Sequence, residues 1–410
     1  MSIKKKIIFN DPIYGFITVA DPFIHKIISH PYFQRLQRIR QLGLTSLVYP
    51  GALHTRFQHA MGAMHLAMEA VKVLKEKGVE ISGDEAQGVA IAVLLHDIGH
   101  GPFSHALEHS IVDDILHEDI SELFFIKLNK EFNGKLSLAC EIFTGKYKRK
   151  FLHQFVSSQL DMDRMDYLNR DSFFTGVSDG VVSSDRIIKM LNVKNDELVV
   201  EAKGLYSIEK FIIGRRLMYW QVYLHKTVLS AEFLLVKILT RAKELALKQE
   251  SLFCTPALHE FLYSTHGKKA FASNPLLLHA FAQLDDYDIF ASVKVWQNHP
   301  DFILSTLCSN MVNRKLYKVE IQNEPFTDAK ISSLKLAVKK KLKLKGDEAD
   351  YFVFSLDVTN DAYRPDKIRI NILHKNNTIT DIAQASDQSY IAALQKTVKK
   401  YFLFYSEKSA

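Results

Sequence analysis

AIAVLLHDIGHGPFSH, residues 90–105, decides how the rest of the chain is read. An apolar helical run ends in His96 and Asp97; a Gly-His-Gly-Pro break follows, and His105 closes the stretch. A lone histidine at a helix end is ordinarily a satisfied polar residue. Three histidines and an aspartate close together point instead to a metal-ligand pair on the last turn of a buried helix. Adjacent helical residues point about 100° apart, so His96 and Asp97 reach one ion only from the edge of a face. Gly99 and Gly101 let the backbone leave the helix without steric penalty, and Pro102 prevents it from resuming.

Two flanking segments extend the pattern. Residues 54–62, HTRFQHAMG, open a helix that runs to about Lys77. Its small and apolar side chains, Ala60, Ala63, Met64, Ala67, Met68 and Val71, mark close packing against other helices. A further helix covers about residues 84–96. In residues 155–171, Asp163, Tyr167 and Asp171 recur at four-residue steps on one helical face. Asp166 and Arg170 share another face and read as a structural ion pair, and Asp161 reads as a helix cap or a support for the ligands. The candidate ligands are then His59, His96, Asp97 and Asp163, each on or at the end of a helix, as helical bundles build metal sites. Their mixture of nitrogen and oxygen suits Mn, Fe, Mg, Zn or Co, as one or two ions, better than a soft metal. Spacing alone does not link His59 to Asp163.

The chain has 410 residues, 47% hydrophobic and 24% charged, the balance of an ordinary globular protein of two or three domains. No apolar run has the roughly 18 residues a membrane span needs, and the start lacks the features of a signal peptide. Cys140, Cys254 and Cys308 lie far apart in apolar contexts, as expected of reduced thiols in a cytoplasm. A net charge of +7 favours anionic ligands, nucleotides and nucleic acids alike.

The remaining chain reads as mainly α. Residues 7–20 form a small N-terminal hairpin. Residues 32–42 form an amphipathic helix whose solvated face carries Arg35, Arg38 and Arg40. Residues 108–132 and 135–143 are helical, and residues 146–151 form a basic loop. A hairpin over 198–206 turns at Lys203-Gly204. One long helix follows from Ile208 to about Lys248, capped by Ser207, and further helices continue to about Asn310. From Tyr317 onward period-two alternation predicts a C-terminal α+β appendage closed by a helix over 389–404. The domains divide as residues 1–250 for the catalytic core, 251–320 for a helical extension and 321–410 for the small α+β unit. Residues 339–345, a lysine run, read as a solvated helix face.

The ordered blocks of His59, His96-Asp97 and Asp163, with the sequences around them, resemble the HD-domain phosphohydrolases. Within these they are similar to the deoxynucleoside triphosphate triphosphohydrolase branch, of the bacterial type without a SAM domain. The resemblance covers about residues 8–226, weakens to residue 315 and is faint beyond. It implies an HD helical bundle and hydrolysis of a deoxynucleoside triphosphate to the deoxynucleoside and inorganic triphosphate. It implies substrate contacts from Gln41, Leu42, Arg56, His100, Arg164, Tyr167, Asp171, Arg215 and Tyr223. Arg164 stands where the family often has lysine. Tyr223 would pack under the sugar and exclude a 2′-hydroxyl; without the family it would read as core. His105 matches the leading acid–base candidate, assisted by His117 and Glu118. His54, His65, His109 and His225 read as surface or core polarity. Regulated relatives read guanine with an Asp, a Gln and an Arg where this chain has Ser29, Gln34 and Gln37, so activation by a guanine nucleotide is not expected. The resemblance also implies a homo-oligomer, a dimer or tetramer.

Two other functions compete: an HD hydrolase of a nucleoside monophosphate or cyclic nucleotide, and a nucleic-acid-binding protein with a vestigial site. Arg56, Arg164 and Arg215 together favour a polyphosphate, because one phosphate does not need three cations. Every ligand position is filled, which ranks weak nucleic-acid binding last.

Overall fold

A computed structural model describes residues 6–103, 107, 110–111, 115–360, 363, 369–388 and 397–406. The chain begins with the expected antiparallel hairpin, β1 (Ile7–Asp11) and β2 (Gly15–Val19). Helices α1 (Pro22–Ile28) and α2 (Pro31–Gln34) follow, each with proline in its first turn, where its missing N–H is not needed. Then come α3 (Arg56–Glu76), α4 (Gly83–Leu95), α5 (His117–Glu131), α6 (Ser137–Phe143), α7 (Lys150–Gln154), α8 (Met162–Thr175) and α9 (Ser184–Met190). Strands β3 (Leu191–Lys194) and β4 (Glu197–Glu201) lead to α10 (Leu205–Met218) and α11 (Lys226–Leu247). The helical extension is α12 (Pro256–Leu262), α13 (Lys268–Ser273), α14 (Pro275–Gln283), α15 (Asp286–Trp296) and α16 (Phe302–Val312). The last part holds β5 (Lys318–Gln322), α17 (Asp328–Leu342), β6 (Val353–Asn360), β7 (Asn371–Leu373), β8 (Ile379–Asp381), α18 (Ile382–Ala385) and β9 (Val398–Tyr405). The architecture is mainly α with small sheets, as expected. Among the described residues no helix is long and apolar enough to cross a membrane.

The core centres on α4, whose run from Gly88 to Leu95 is entirely buried. A capping box at Ser82 and Glu85 starts this helix, and His96 ends it. Helix α3 lies against α4 and α8 because its contact face is small: Ala60, Ala63, Ala67 and Ala70 are fully buried. At Gly62 a Cβ would stand 2.0 Å from Asp166 Oδ1. Only glycine lets α8 approach there.

Several elements depart from the periodicity that predicted them. The amphipathic run over residues 32–42 is helical only to Arg38, with its last turn 3₁₀, and Ile39 is extended. Ile39 O accepts from Arg56 N and Arg40 pairs with Thr55, so tertiary bonds claim the backbone that the helix would have used. Arg35, expected on a solvated face, is fully buried. The hairpin turns at Asn195-Asp196 rather than at Lys203-Gly204. Both turn residues adopt φ near +60° (54° and 61°), which Asn and Asp tolerate better than most residues. The long helix from Ile208 is broken by a π turn at Tyr219–Tyr223 before α11. No glycine or proline signals that break. Tyr49 Oη donates to Gln221 O at 2.6 Å, and Tyr223 is held elsewhere, as described below.

The predicted closing helix over residues 389–404 is also corrected. Residues 398–404 belong to β9, the central strand between β5 and β6, and residues 389–396 lie outside the described residues. The aromatic run from Tyr401 to Tyr405 suits a strand paired on both sides better than a helix. Strand β7 pairs in parallel with β4 (Val200 opposite Ile372), so β7 and β8 extend the sheet that β3 and β4 begin.

The N-terminus of α15 ties the extension to the core. Asp286, itself buried, accepts from Arg40 N at 3.0 Å and Phe103 N at 3.3 Å, and Asp285 pairs with Arg38. Burial pushes the Asp286 carboxyl up to about 6. A carboxyl whose pKa is raised by folding favours the protonated fold. Its contribution is complete below the unfolded value of about 3.9 and lost as pH rises through about 6. In thermal melts between pH 4 and pH 7.5, Asp286→Asn should therefore gain on the wild type as pH rises, by up to about 3 kcal/mol. Parallel melting curves across that range would refute the assignment.

Candidate metal centre and active site

Four side chains from three parts of the helical core meet at one point. His59 comes from the first turns of α3, His96 and Asp97 from the end of α4, and Asp163 from the first turn of α8. His59 Nε2 lies 3.3 Å from His96 Nε2 and 3.1 Å from Asp163 Oδ1. His96 Nε2 lies 3.5 Å from Asp163 Oδ1 and 3.4 Å from Asp97 Oδ1. Asp97 Oδ2 is 3.8 Å from His59 Nε2. Thus the structure brings together all four residues that the sequence singled out as ligands.

Both imidazoles are held by their other nitrogen. His59 Nδ1 bonds Asp166 Oδ2 at 2.8 Å, and His96 Nδ1 donates to Val93 O at 2.7 Å. In the neutral ring, with Nδ1 carrying the proton, each Nε2 would present a lone pair to a cation. Asp166 does more than form the expected ion pair. Arg170 donates to both its oxygens at 2.9 Å and reaches Asp11 of β1 at 2.8 Å. A buried chain therefore runs from the hairpin through Arg170 and Asp166 to His59.

Lone pairs and carboxylates crowd this space, and the imidazoles respond. Burial alone would push His59 down, yet its bonds to Asp163 and Asp166 hold it at about 10. For His96 burial also works downward, but Asp97 and Asp163 outweigh it and raise the ring. Burial works against ionising Asp97 too, but His96, His100 and Arg56 keep its carboxyl well below the usual range. The cluster is short of positive charge. His59, His96 and Asp163 offer donor atoms all within 4.8 Å of one another, a set that could hold a metal ion. The residues fit a divalent cation by donor type as well.

A cleft of about 490 Å³ opens on the cluster, lined by His96, Asp97, His117, Glu118, Asp163 and Arg164 among others. His100 stacks on His117 with ring centroids 3.9 Å apart, and His100 Nε2 lies 3.2 Å from Asp97 Oδ1. Burial, helped by the nearby Arg56 charge, pushes His100 down to about 3, so it is neutral near pH 7. His117 Nε2 is 3.4 Å from Glu118 Oε1. His105 and His109 lie outside the described residues. Among the lining side chains that the sequence did not flag are Lys146 and His153. His153 Nδ1 bonds Ile142 O at 2.8 Å.

Two arginines pair with aspartates in and beside the cluster, and a third lies on α10. Arg56, at the start of α3, pairs with Asp97 at 2.5 Å. Arg164 pairs with Asp161, which caps α8 by accepting from Arg164 N at 2.8 Å, and the Asp161 charge raises the guanidinium pKa. Arg215 of α10 donates to Gln159 Oε1 at 3.1 Å.

A second polar group forms around Asp171. Tyr223 Oη donates to its Oδ2 at 2.7 Å, and His54 Nε2 bonds its Oδ1 at 2.7 Å. His54, set aside as ordinary polarity, is buried and stacks on Phe174 at 4.5 Å. Its neighbour in space is Gln41, whose N–H donates to His54 O at 3.0 Å. The Gln41 Oε1 atom is buried with no hydrogen-bond partner among the described residues. Leu42 leads from it into a 3₁₀ turn. Tyr167 meets Tyr223 edge-on, with centroids 6.0 Å apart. Ser29, Gln34 and Gln37 line a separate recess beside β1 and α1.

Comparison with known proteins places this geometry in a family. A profile of the HD domain matches residues 56–171, and one of the HD associated region matches residues 182–254. The crystal structure of a phosphohydrolase from Bacteroides thetaiotaomicron superposes with a TM-score of 0.95 and 52% identity, covering 98% of this chain and 100% of its own. The uncharacterized protein YwfO of Bacillus subtilis is 33% identical over 398 residues, covering 94% of this chain and 88% of its own length. The deoxynucleoside triphosphate triphosphohydrolase SAMHD1 homolog of Dictyostelium discoideum is 34% identical over 264 residues, covering 59% of this chain and 51% of its own. With its helical core, its His/Asp cluster and these relatives, the chain belongs to the HD-domain phosphohydrolases, with an HD domain followed by an HD-associated region.

Proposed function

We propose that the protein hydrolyses deoxynucleoside triphosphates to the deoxynucleoside and inorganic triphosphate. The observation that carries this reading is the pairing of two adjoining polar groups. One is the His59, His96, Asp97 and Asp163 cluster, ringed by Arg56, Arg164 and Arg215. The other is the Gln41, Asp171 and Tyr223 group, with its buried, unpartnered Gln41 Oε1, which would hold the sugar. Relatives that carry this activity by name support it at modest identity.

The four cluster residues would hold the divalent cation, which lowers the pKa of water and neutralises charge on phosphoryl oxygens. The chain's own residues do the rest. Arg56, Arg164 and Arg215 neutralise and orient the triphosphate, with Arg56 and Arg164 exchanging carboxylate partners for phosphate oxygens. Water attacks the α-phosphorus, the bond from that phosphorus to the 5′-oxygen breaks, and the leaving oxygen takes a proton. His105 is the first candidate donor of that proton. His117, paired with Glu118, is the assisting one. Neutral His100 contributes a hydrogen bond to phosphate rather than a charge. On the other side, Asp171 holds Tyr223 in one orientation, and the ring packs against C2′ where a ribonucleotide would carry a hydroxyl. Gln41 and Leu42 close the sugar pocket, and Tyr167 supports the Tyr223 ring.

Manganese-loaded protein incubated with each dNTP should release triphosphate, read by ion chromatography. Orthophosphate or pyrophosphate as the product would refute the reaction. Chelation should abolish turnover and manganese should restore it, and His96→Ala and Asp163→Ala should stay inactive at any metal concentration. Tyr223→Ala should relax the choice of sugar, raising the ratio of NTP to dNTP hydrolysis by about 10–200-fold. An unchanged ratio would remove Tyr223 from the sugar pocket.

A further inference from the structure

The turn after α4 carries Asp97 and His100, and it is gripped from both sides. From one side comes Arg35, in the 3₁₀ turn after α2. Its Nη1 donates to Ile98 O at 2.9 Å and its Nη2 to His100 O at 2.8 Å. From the other side comes Ser121 of α5. Its Oγ donates to His96 O at 2.9 Å and accepts from Gly99 N at 2.9 Å. Alternate carbonyls along the turn, those of His96, Ile98 and His100, are each taken by a side chain. The fit is close, for a Cβ on Gly99 would stand 2.1 Å from His117 O and 2.4 Å from Ser121 N.

Arg35 is an unusual choice for a purely structural bond. Its side chain is fully buried; among the described residues it makes no ion pair, and the Asp285 and Asp286 charges act on it only from farther off. The guanidinium lies over the rings of Phe124 and Phe281, at 5.7 and 5.2 Å from their centroids. Burying a charge with no carboxylate in direct contact is expensive. Its bonds here all go to the turn that delivers a ligand and a phosphate-side histidine.

We propose that Arg35 and Ser121 are positioning residues that set the metal affinity of the site by fixing the turn from His96 to Gly101. The proposal rests on the reading of the His/Asp cluster as a metal centre. No atom of either residue reaches the cluster; both act through the backbone. Ser121→Ala removes one atom and leaves the packing around it in place, which makes it the cleaner probe. Arg35→Met removes both bonds and the charge, and Arg35→Lys keeps the charge and a single donor.

Manganese(II) affinity is measured by calorimetry on the full-length protein well below its melting temperature, with circular dichroism confirming the fold. Ser121→Ala and Arg35→Met should bind manganese roughly 10–100-fold more weakly than the wild type, with Arg35→Lys between. If Arg35→Met does not fold, Ser121→Ala decides alone. Variants that melt earlier but bind manganese as tightly as the wild type would make the grip merely structural and overturn the proposal. A wild type that binds no manganese would instead bring down the metal reading, and the proposal with it.

Discussion

The contact between His59 and Asp166 is the constraint on which the rest of this site depends. It exists because α3 and α8 touch where Gly62 has no side chain. Asp166 fills the space a Cβ would occupy, turns one oxygen to His59, and shares both with Arg170. The bond fixes which nitrogen of His59 faces inward. A buried aspartate of this kind would be unfavourable alone, and the guanidinium of Arg170 compensates it. That guanidinium in turn anchors on Asp11, so the N-terminal hairpin is part of the same buried network.

What results is a pocket with an excess of negative charge in a low-dielectric setting. His59 and His96 keep their protons against the effect of burial because carboxylates surround them. A divalent cation would meet the same need by replacing the Nε2 protons and taking the lone pairs that they occupy. Arg56, buried at the start of α3, pairs with Asp97. Arg56 and Arg164 are held by Asp97 and Asp161, which fixes their orientation.

Beyond the cluster, the polar group around Asp171 is assembled from segments that are distant in the chain. The π turn at Tyr219–Tyr223 brings the Tyr223 hydroxyl to Asp171, and Asp171 also holds His54 on the strand-like approach to α3. The helical extension reaches the same region through Asp286, which bonds the backbone beside Gln41 and beside the turn after α4. The C-terminal strand β7 extends the sheet begun by β3 and β4, so the extension and the C-terminal unit both brace the catalytic helices.

By itself the sequence determined the helical class, the N-terminal hairpin, and the identity of the four clustered residues. Those features are written locally, in apolar spacing, in the glycine and proline that end α4, and in motif order. The ion pair of Asp166 with Arg170 was legible for the same reason, because four residues on a helix are neighbours in space. Only the tertiary structure decided that Arg35 and His54 are buried, that a π turn interrupts the helix before α11, and that residues 398–404 form a central strand. In each case the deciding partner lies far along the chain: Ile98 and His100 for Arg35, Asp171 for His54 and Tyr223, and two flanking strands for β9. Hydrogen-bonding groups leave no periodic trace of a partner that packing alone brings within reach, and so those assignments had to wait for the folded chain.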